Sequence, residues 1–476
     1  MHRFSAVLLG ALLIAGAAWA EEGTVGACDG HGGALAGCSS EEGAALLQLP
    51  KRGVHWPRKK WTARSWPWSH GDQWWKHCGG KKHAGLAIAT NYLHQDGFQG
   101  MSVGLGVGGA DSRPQQALID SGSSSIAFCD RALAKGVAKQ RTTAAQCNQY
   151  GNADGEKDNN PNKPCFFEYF YGSVYQGDVQ AFDGLDGRVA ADMKDVSYTI
   201  MDYQQHMTCE LGFQGIFGIA FGALNYAYEV PDGNASQMLE TCGVDVLGRE
   251  TAFCNTASLK GVQLTSPLAQ SLQANGVNKT GIYFDYGATA QKPEPFTMEG
   301  LGMVYIGQAA VENEFFKHAL SLMTVTTVYR SVGESGAQLR TQQMYWDLAW
   351  IGAVIQDGDK NITVHPPDAN FCRQEGRCIF DTGNPSLTIP LMIVKECLSN
   401  EHGTVTFSFL KDIAKQGQAT ASLEVPCAFI VEQYQAGWVT PSATSFVLGM
   451  PILQYYYVVL DDDADTMTFA RLPQAA

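Results

Sequence analysis

Two aspartates in matching surroundings carry the chemistry this chain could do. Asp120 stands in Ile119-Asp120-Ser121-Gly122-Ser123-Ser124-Ser125, and Asp381 in Phe380-Asp381-Thr382-Gly383-Asn384-Pro385-Ser386. Each reads apolar residue, Asp, small hydroxyl residue, Gly. A single copy is an ordinary turn signal, because Asp, Ser and Gly all favour turns. Two copies with apolar residues before each Asp ask for more. A carboxylate at the end of a buried strand needs a partner, and here each can be the partner of the other. Two carboxyl groups about 3 Å apart cannot both ionise readily, so they share a proton; one serves as base, the other as acid. A water held between them is thereby activated without a metal or a covalent intermediate, so neither metal nor cofactor is expected. The hydroxyls of Ser121 and Thr382 can lock the two loops together, and the Gly amides can donate to the carboxylates.

The elements that must place these groups are legible nearby. Ala117-Leu118-Ile119 and Cys378-Ile379-Phe380 read as buried strands, each ending on its Asp, with Gly permitting a sharp turn. Downstream of each lies a second repeated unit, Gly215-Ile216-Phe217-Gly218 and Phe446-Val447-Leu448-Gly449, both closing on apolar, apolar, Gly. The same order in both halves is an internal duplication. On these residues the chain resembles the pepsin-like aspartic protease family over roughly residues 98–473. The regions Arg113 to Phe128, Phe213 to Phe221, Ile379 to Pro390 and Phe446 to Ala470 read like that family's four signatures. The resemblance implies a mainly β, bilobal fold: two pseudo-twofold-related β lobes with the active-site cleft between them. The N-terminal lobe would span 96–300 and the C-terminal lobe 301–476. Composition agrees, since 476 residues exceed one core and 52 glycines with 17% charged residues favour a turn-rich β protein.

Carried over residue by residue, the resemblance implies an aspartic-type endopeptidase working at acid pH, with Asp120 and Asp381 catalytic. Ser121, Gly122, Ser123, Thr382, Gly383 and Asn384 would support the pair. The run 166–179 reads as an aromatic hairpin turning at Gly172-Ser173, which the family uses as a flap over substrate. Tyr171, Gly172 and Ser173 are its candidates, with Tyr169 and Tyr175 as alternatives for the flap tyrosine. The resemblance also pairs Cys372 with Cys378 and Cys397 with Cys427; Cys129 is expected to pair locally, with Cys147 or Cys165. Three positions depart from the family: Asn384 replaces a hydroxyl residue, Ala127 a Trp, and Met450 an acid. The competing reading is a weak or inactive protein on the same scaffold, acting as a binding or inhibitory module.

The rest of the chain sets context. Residues 1–20 carry Arg3, an apolar run from Ala6 to Ala18 and a small-x-small site at Ala18-Trp19-Ala20, which read as a secretory signal peptide. Thirteen cysteines in a secreted chain read as disulfides. The expected destination is the secretory pathway, either secreted or vacuolar/lysosomal, with no membrane anchor. Asn234, Asn278 and Asn361 head possible glycosylation tripeptides. Residues 51–83 hold nine Lys and Arg against Asp72 alone, and six of the ten tryptophans. From residue 84 onward the balance is 23 basic to 41 acidic residues. This contrast favours docking of 51–83 on its own acidic body, and the resemblance implies an inhibitory pro-segment over 21–95. Nucleic acid is not an expected partner; protein or peptide substrates are, and the chain is expected to be a monomer. The stretches 130–165 and 225–262 read as surface excursions, Pro267 to Asn275 as a helix.

Overall fold

In the computed structural model the described residues are 85–473, without 96–97, 108–113, 134–140, 151–167, 183–188, 206–208, 210–211, 221–224, 231–234, 245–249, 257, 265–278, 285–301, 328–329, 333–337, 341–344, 369–370, 374–376, 412–419 and 444. The signal peptide, the basic segment, the tripeptides at Asn234 and Asn278, the 267–275 helix and the expected boundary near 300 lie outside them, whereas the expected boundary at 95 falls at the end of a described strand, Gly85–Gln95.

The fold is mainly β. Nine strands of the first half matter to the site: β1 (Gly85–Gln95), β2 (Phe98–Val107), β3 (Gln115–Asp120), β4 (Ile126–Phe128), β5 (Arg141–Tyr150), β6 (Glu168–Phe182), β7 (Val189–Gln205), β8 (Gly215–Gly218) and β9 (Tyr226–Glu229). Strand β2 pairs with β3, β3 with β8, β8 with β4, β4 with β7, β7 with β6, and β6 returns to β2. Six strands thus close a ring, and closure leaves no open edge among them. Met101, Leu105, Ile119, Phe128, Val179, Val196 and Phe217 belong to the core it builds.

Two expectations change here. Gly172-Ser173 is not a turn: β6 runs unbroken from 168 to 182, with β5 and β7 as neighbours on its two sides. The glycine serves a close approach instead, since a Cβ on Gly172 would stand 2.1 Å from the Ile200 carbonyl oxygen. The excursions 130–165 and 225–262 also contribute to the sheet. Strands β5 and β9 pair with each other, and Cys147 is bonded to Cys254. Ala145 and Cys147 are apolar enough to be buried there with Met238, which polar composition over the whole stretch concealed.

The second half repeats the local topology of the first. Cys378–Phe380 runs parallel to Phe446–Leu448, which is antiparallel to Leu387–Ile389, which is parallel to Val439–Pro441. In the first half β3, β8, β4 and β7 are related in the same way. A three-residue strand has little intrinsic stability, so packing must hold it. Trp350 stacks on Phe446 at 4.8 Å between ring centroids, and Phe407 and Phe409 meet Phe446 edge-on. Each such aromatic pair adds roughly 0.5–1.5 kcal/mol beyond its buried area. Strand β1 pairs with both β2 and Gly302–Gly307, and the sheet continues through Lys279–Phe284, Tyr456–Asp461, Thr466–Arg471 and Ser321–Thr326.

Disulfides join Cys129 to Cys209, Cys147 to Cys254, Cys372 to Cys378 and Cys397 to Cys427. Cys129 therefore takes neither of the local partners expected for it. Its neighbour in space is set by β4 lying beside β7, which ends close to Cys209. Such bonds persist in oxidising compartments. Among the described residues no helix is long and apolar enough to cross a membrane.

Candidate active site

Each aspartate ends a strand and each following loop folds back over a glycine. Asp120 is the last residue of β3, beside Gly218 of β8; Asp381 follows Phe380, and its N–H donates to Leu448 O at 3.1 Å. The loop after Asp120 is held down by Gly218 N–H to Ser125 O (2.9 Å), Ile219 N–H to Asp120 O (2.8 Å) and Ala220 N–H to Ser123 O (2.7 Å). The loop after Asp381 is held by Met450 N–H to Asn384 O at 2.9 Å. Only glycine allows this crossing: a Cβ on Gly449 would stand 2.0 Å from Ser386 O, and one on Gly218 2.5 Å from Ser125 N. This is the physical content of the apolar, apolar, Gly repeat.

The loops meet through their hydroxyl residues. Ser121 N–H donates to Thr382 Oγ1 (3.0 Å), and Thr382 N–H donates to Ser121 Oγ (2.8 Å). Each hydroxyl then donates across to the other half, Thr382 to Ile119 O (2.8 Å) and Ser121 to Phe380 O (3.1 Å). Both side chains are fully buried, so these four bonds are made away from competing water. The glycines complete the symmetry. Gly122 N–H donates to Asp120 Oδ1 and Gly383 N–H to Asp381 Oδ1, both at 2.8 Å. A Cβ on Gly122 would lie 2.7 Å from the Asp381 carboxyl carbon, and one on Gly383 2.5 Å from Asp120 Oδ1. Each glycine is thus a floor on which the opposite carboxyl group rests.

Asp120 and Asp381 share a side-chain hydrogen bond. Asp120 is 5% exposed. Asp381 is held well above the ordinary carboxyl range, first by burial and then by the charge of Asp120 and that shared bond; the Gly383 and Asn384 backbone N–H groups act the other way. A carboxyl group held in this way keeps its proton to higher pH than an isolated one. Among the described residues no group of three or more His, Cys, Asp or Glu is placed to hold a metal ion.

The other expected residues fall out differently. The Asn384 side chain is committed to a local turn: its Oδ1 accepts from Ser386 N–H (2.9 Å) and Ser386 Oγ–H (3.0 Å). Its support for the pair comes from the backbone alone. Ser123 is buried, and its hydroxyl meets no partner among the described residues. Tyr171 sits within β6 opposite Cys147 and Tyr203, its ring stacked on Tyr203 at 5.8 Å. Tyr169 is buried, and Tyr175 stacks on Tyr198 at 6.0 Å. Ala127 is fully buried.

Two features have no motif in the sequence. Gln146 of β5, fully buried, donates from Nε2 to Asn225 Oδ1 (2.9 Å), Tyr226 O (3.0 Å) and Ser125 Oγ (3.2 Å), while Thr199 Oγ1–H donates to its Oε1. It ties β5, β7 and β9 to the loop after Asp120. Trp346 is also buried, and its indole N–H donates to Ile219 O at 3.1 Å, linking the two halves. A composition-based reading has no signal for either, since Trp346 bonds to a group 127 residues away and Gln146 to groups 21 to 80 residues away in sequence.

No protein-family model matches the chain, and no curated protein matches it. Among solved structures it is similar to the aspartic proteinase from Irpex lacteus, with a TM-score of 0.45 and 15% identity over 81% of this chain and 97% of that one.

Proposed function

We propose that this chain is an aspartic-type endopeptidase that cleaves peptide bonds in acid through Asp120, Asp381 and an activated water. The observation that carries the reading is the crossed arrangement of the two loops: carboxyl groups in hydrogen-bond contact, each floored by the glycine of the opposite loop. One carboxylate removes a proton from the water as it attacks the peptide carbonyl. The other, protonated, gives its proton to the developing oxyanion or the leaving amine. Burial supports this division, because it disfavours the doubly ionised pair. The substrates are proteins or peptides bound in extended form.

The segment 51–83 acts, on this reading, as an intramolecular inhibitor. Its basic charge meets the acidic body at neutral pH and loosens as carboxyls protonate. The protein is made as a zymogen in the secretory pathway and works as a monomer, secreted or in an acidic vacuolar compartment. The disulfides support an oxidising route. The alternative, a weak enzyme or binding module, draws on the Asn384 side chain, which serves Ser386 rather than the carboxyl pair.

Proteolysis of an unfolded protein in mild acid, with and without a statine-type peptide, separates the two. Cleavage that the peptide blocks and that Asp120→Asn abolishes is expected. Full cleavage by Asp120→Asn would overturn the mechanism, and no cleavage by the processed chain would favour the binding module.

A further inference from the structure

We propose that Trp346 is a positioning residue whose indole N–H holds the loop of Asp120 in place against the loop of Asp381. This rests on the reading of the two aspartates as a working pair.

The backbone of Trp346 belongs to the Asp381 side. Phe380 N–H donates to Trp346 O at 3.0 Å, Asp347 bridges Ile379, and Leu348 N–H donates to Cys378 O at 2.6 Å. The segment 346–348 is thus laid along the strand that ends on Asp381. Its indole reaches the other half. Trp346 Nε1–H donates to Ile219 O (3.1 Å), and Ile219 N–H donates to Asp120 O (2.8 Å). The next residue, Ala220, donates to Ser123 O (2.7 Å), so the peptide that receives the indole is itself fixed to the Asp120 loop. A continuous path runs Asp120, Ile219, Trp346, Phe380, Asp381, and every link in it is a hydrogen bond or one peptide unit.

This path is distinct from the Ser121–Thr382 exchange. That exchange fixes the loops where they touch, but contacts clustered at one place resist separation better than they resist pivoting. A second link displaced from the first removes the pivot. Trp346 is 2% exposed and Ile219 1% exposed, so water cannot replace the indole and the Ile219 carbonyl would lose a donor outright. The ring is too bulky and too enclosed to take another orientation without moving the core around it. The consequence falls on the geometry of the carboxyl pair, where a misplacement on the order of 1 Å can cost about a hundredfold in rate.

The test replaces the N–H and keeps the shape. Incorporating 3-benzothienylalanine at 346 puts sulfur where the indole has N–H; Trp346→Phe serves as a second variant, and Leu423→Ala, in the strand Thr420–Pro426, as a buried core change away from the two loops. In the full chain after acid processing, the sulfur variant should lose about tenfold in kcat with KM within about twofold. Both limbs of its pH profile should move, while Leu423→Ala keeps the parent profile. Unchanged kcat and unchanged limbs in the sulfur variant would overturn the proposal, as would the same change in Leu423→Ala. If the parent chain cleaves nothing, the endopeptidase reading fails by itself. The titration of 13C-labelled Asp carboxyls then decides the role of Trp346: a displaced titration of the pair in the sulfur variant supports it, and an unchanged one overturns it.

Discussion

Thr382→Val isolates the lock between the loops. Valine keeps the outline of threonine and removes only the hydroxyl. That hydroxyl accepts from Ser121 N–H at 3.0 Å and donates to Ile119 O at 2.8 Å, in a site where both Ser121 and Thr382 are fully buried. Losing it strands a buried donor, which costs about 1–3 kcal/mol, and forfeits a second bond worth about 1 kcal/mol. The sum is about 2–4 kcal/mol. Thr382→Ser keeps both bonds and loses one methyl group, for about 1 kcal/mol. Urea unfolding of both variants, with equal m-values, gives the comparison. Ser121→Ala removes the reciprocal pair to Thr382 N–H and Phe380 O. Because either loss loosens the other half of the lock, the double variant should cost about 1 kcal/mol less than the two singles together. A Thr382→Val cost no greater than that of Thr382→Ser, or strict additivity with Ser121→Ala, would refute the view that the four bonds act as one device.

Burial and Asp120 hold Asp381 above its ordinary value of 3.8, so its protonated form is favoured in the folded state. The resulting stability is complete below about pH 3.8 and is lost as pH rises through the folded value. Asp381→Asn should therefore flatten the decline in urea midpoint between pH 3 and 7, and an unchanged slope would contradict the shift. Asn384→Thr should cost about 1 kcal/mol, by analogy with lost side-chain caps, because the Ser386 turn loses its acceptor. Its kcat should stay within about threefold, since the backbone N–H is retained; steady-state kinetics checks this. Removing Cys397–Cys427, which spans 30 residues, should cost about 3.5 kcal/mol, and removing Cys372–Cys378, which spans 6, about 2 kcal/mol on loop entropy. Thermal unfolding of the paired serine variants orders the two.

What the sequence by itself determined is what local pattern encodes. Apolar residues before each Asp mark a buried strand end, and the following hydroxyl and Gly mark a loop that must turn tightly. The duplication of Asp-hydroxyl-Gly and apolar-apolar-Gly tied distant segments together, because the same local demands recur at the same offsets. What only the tertiary structure decided depends on partners far along the chain. Gly172 reads as a turn residue, yet β5 and β7 flank it and it serves a close approach within a continuous strand. Cys129 finds Cys209 because β4 lies beside β7, not because of spacing. Asn384 has the right offset to serve Asp381, but its side chain is drawn to Ser386 two residues away. Trp346 and Gln146 stand in no motif and owe their contacts to groups 127 and 21 to 80 residues away. A side chain's type limits which bonds it can make; the packing of strands brought from both halves chooses among them.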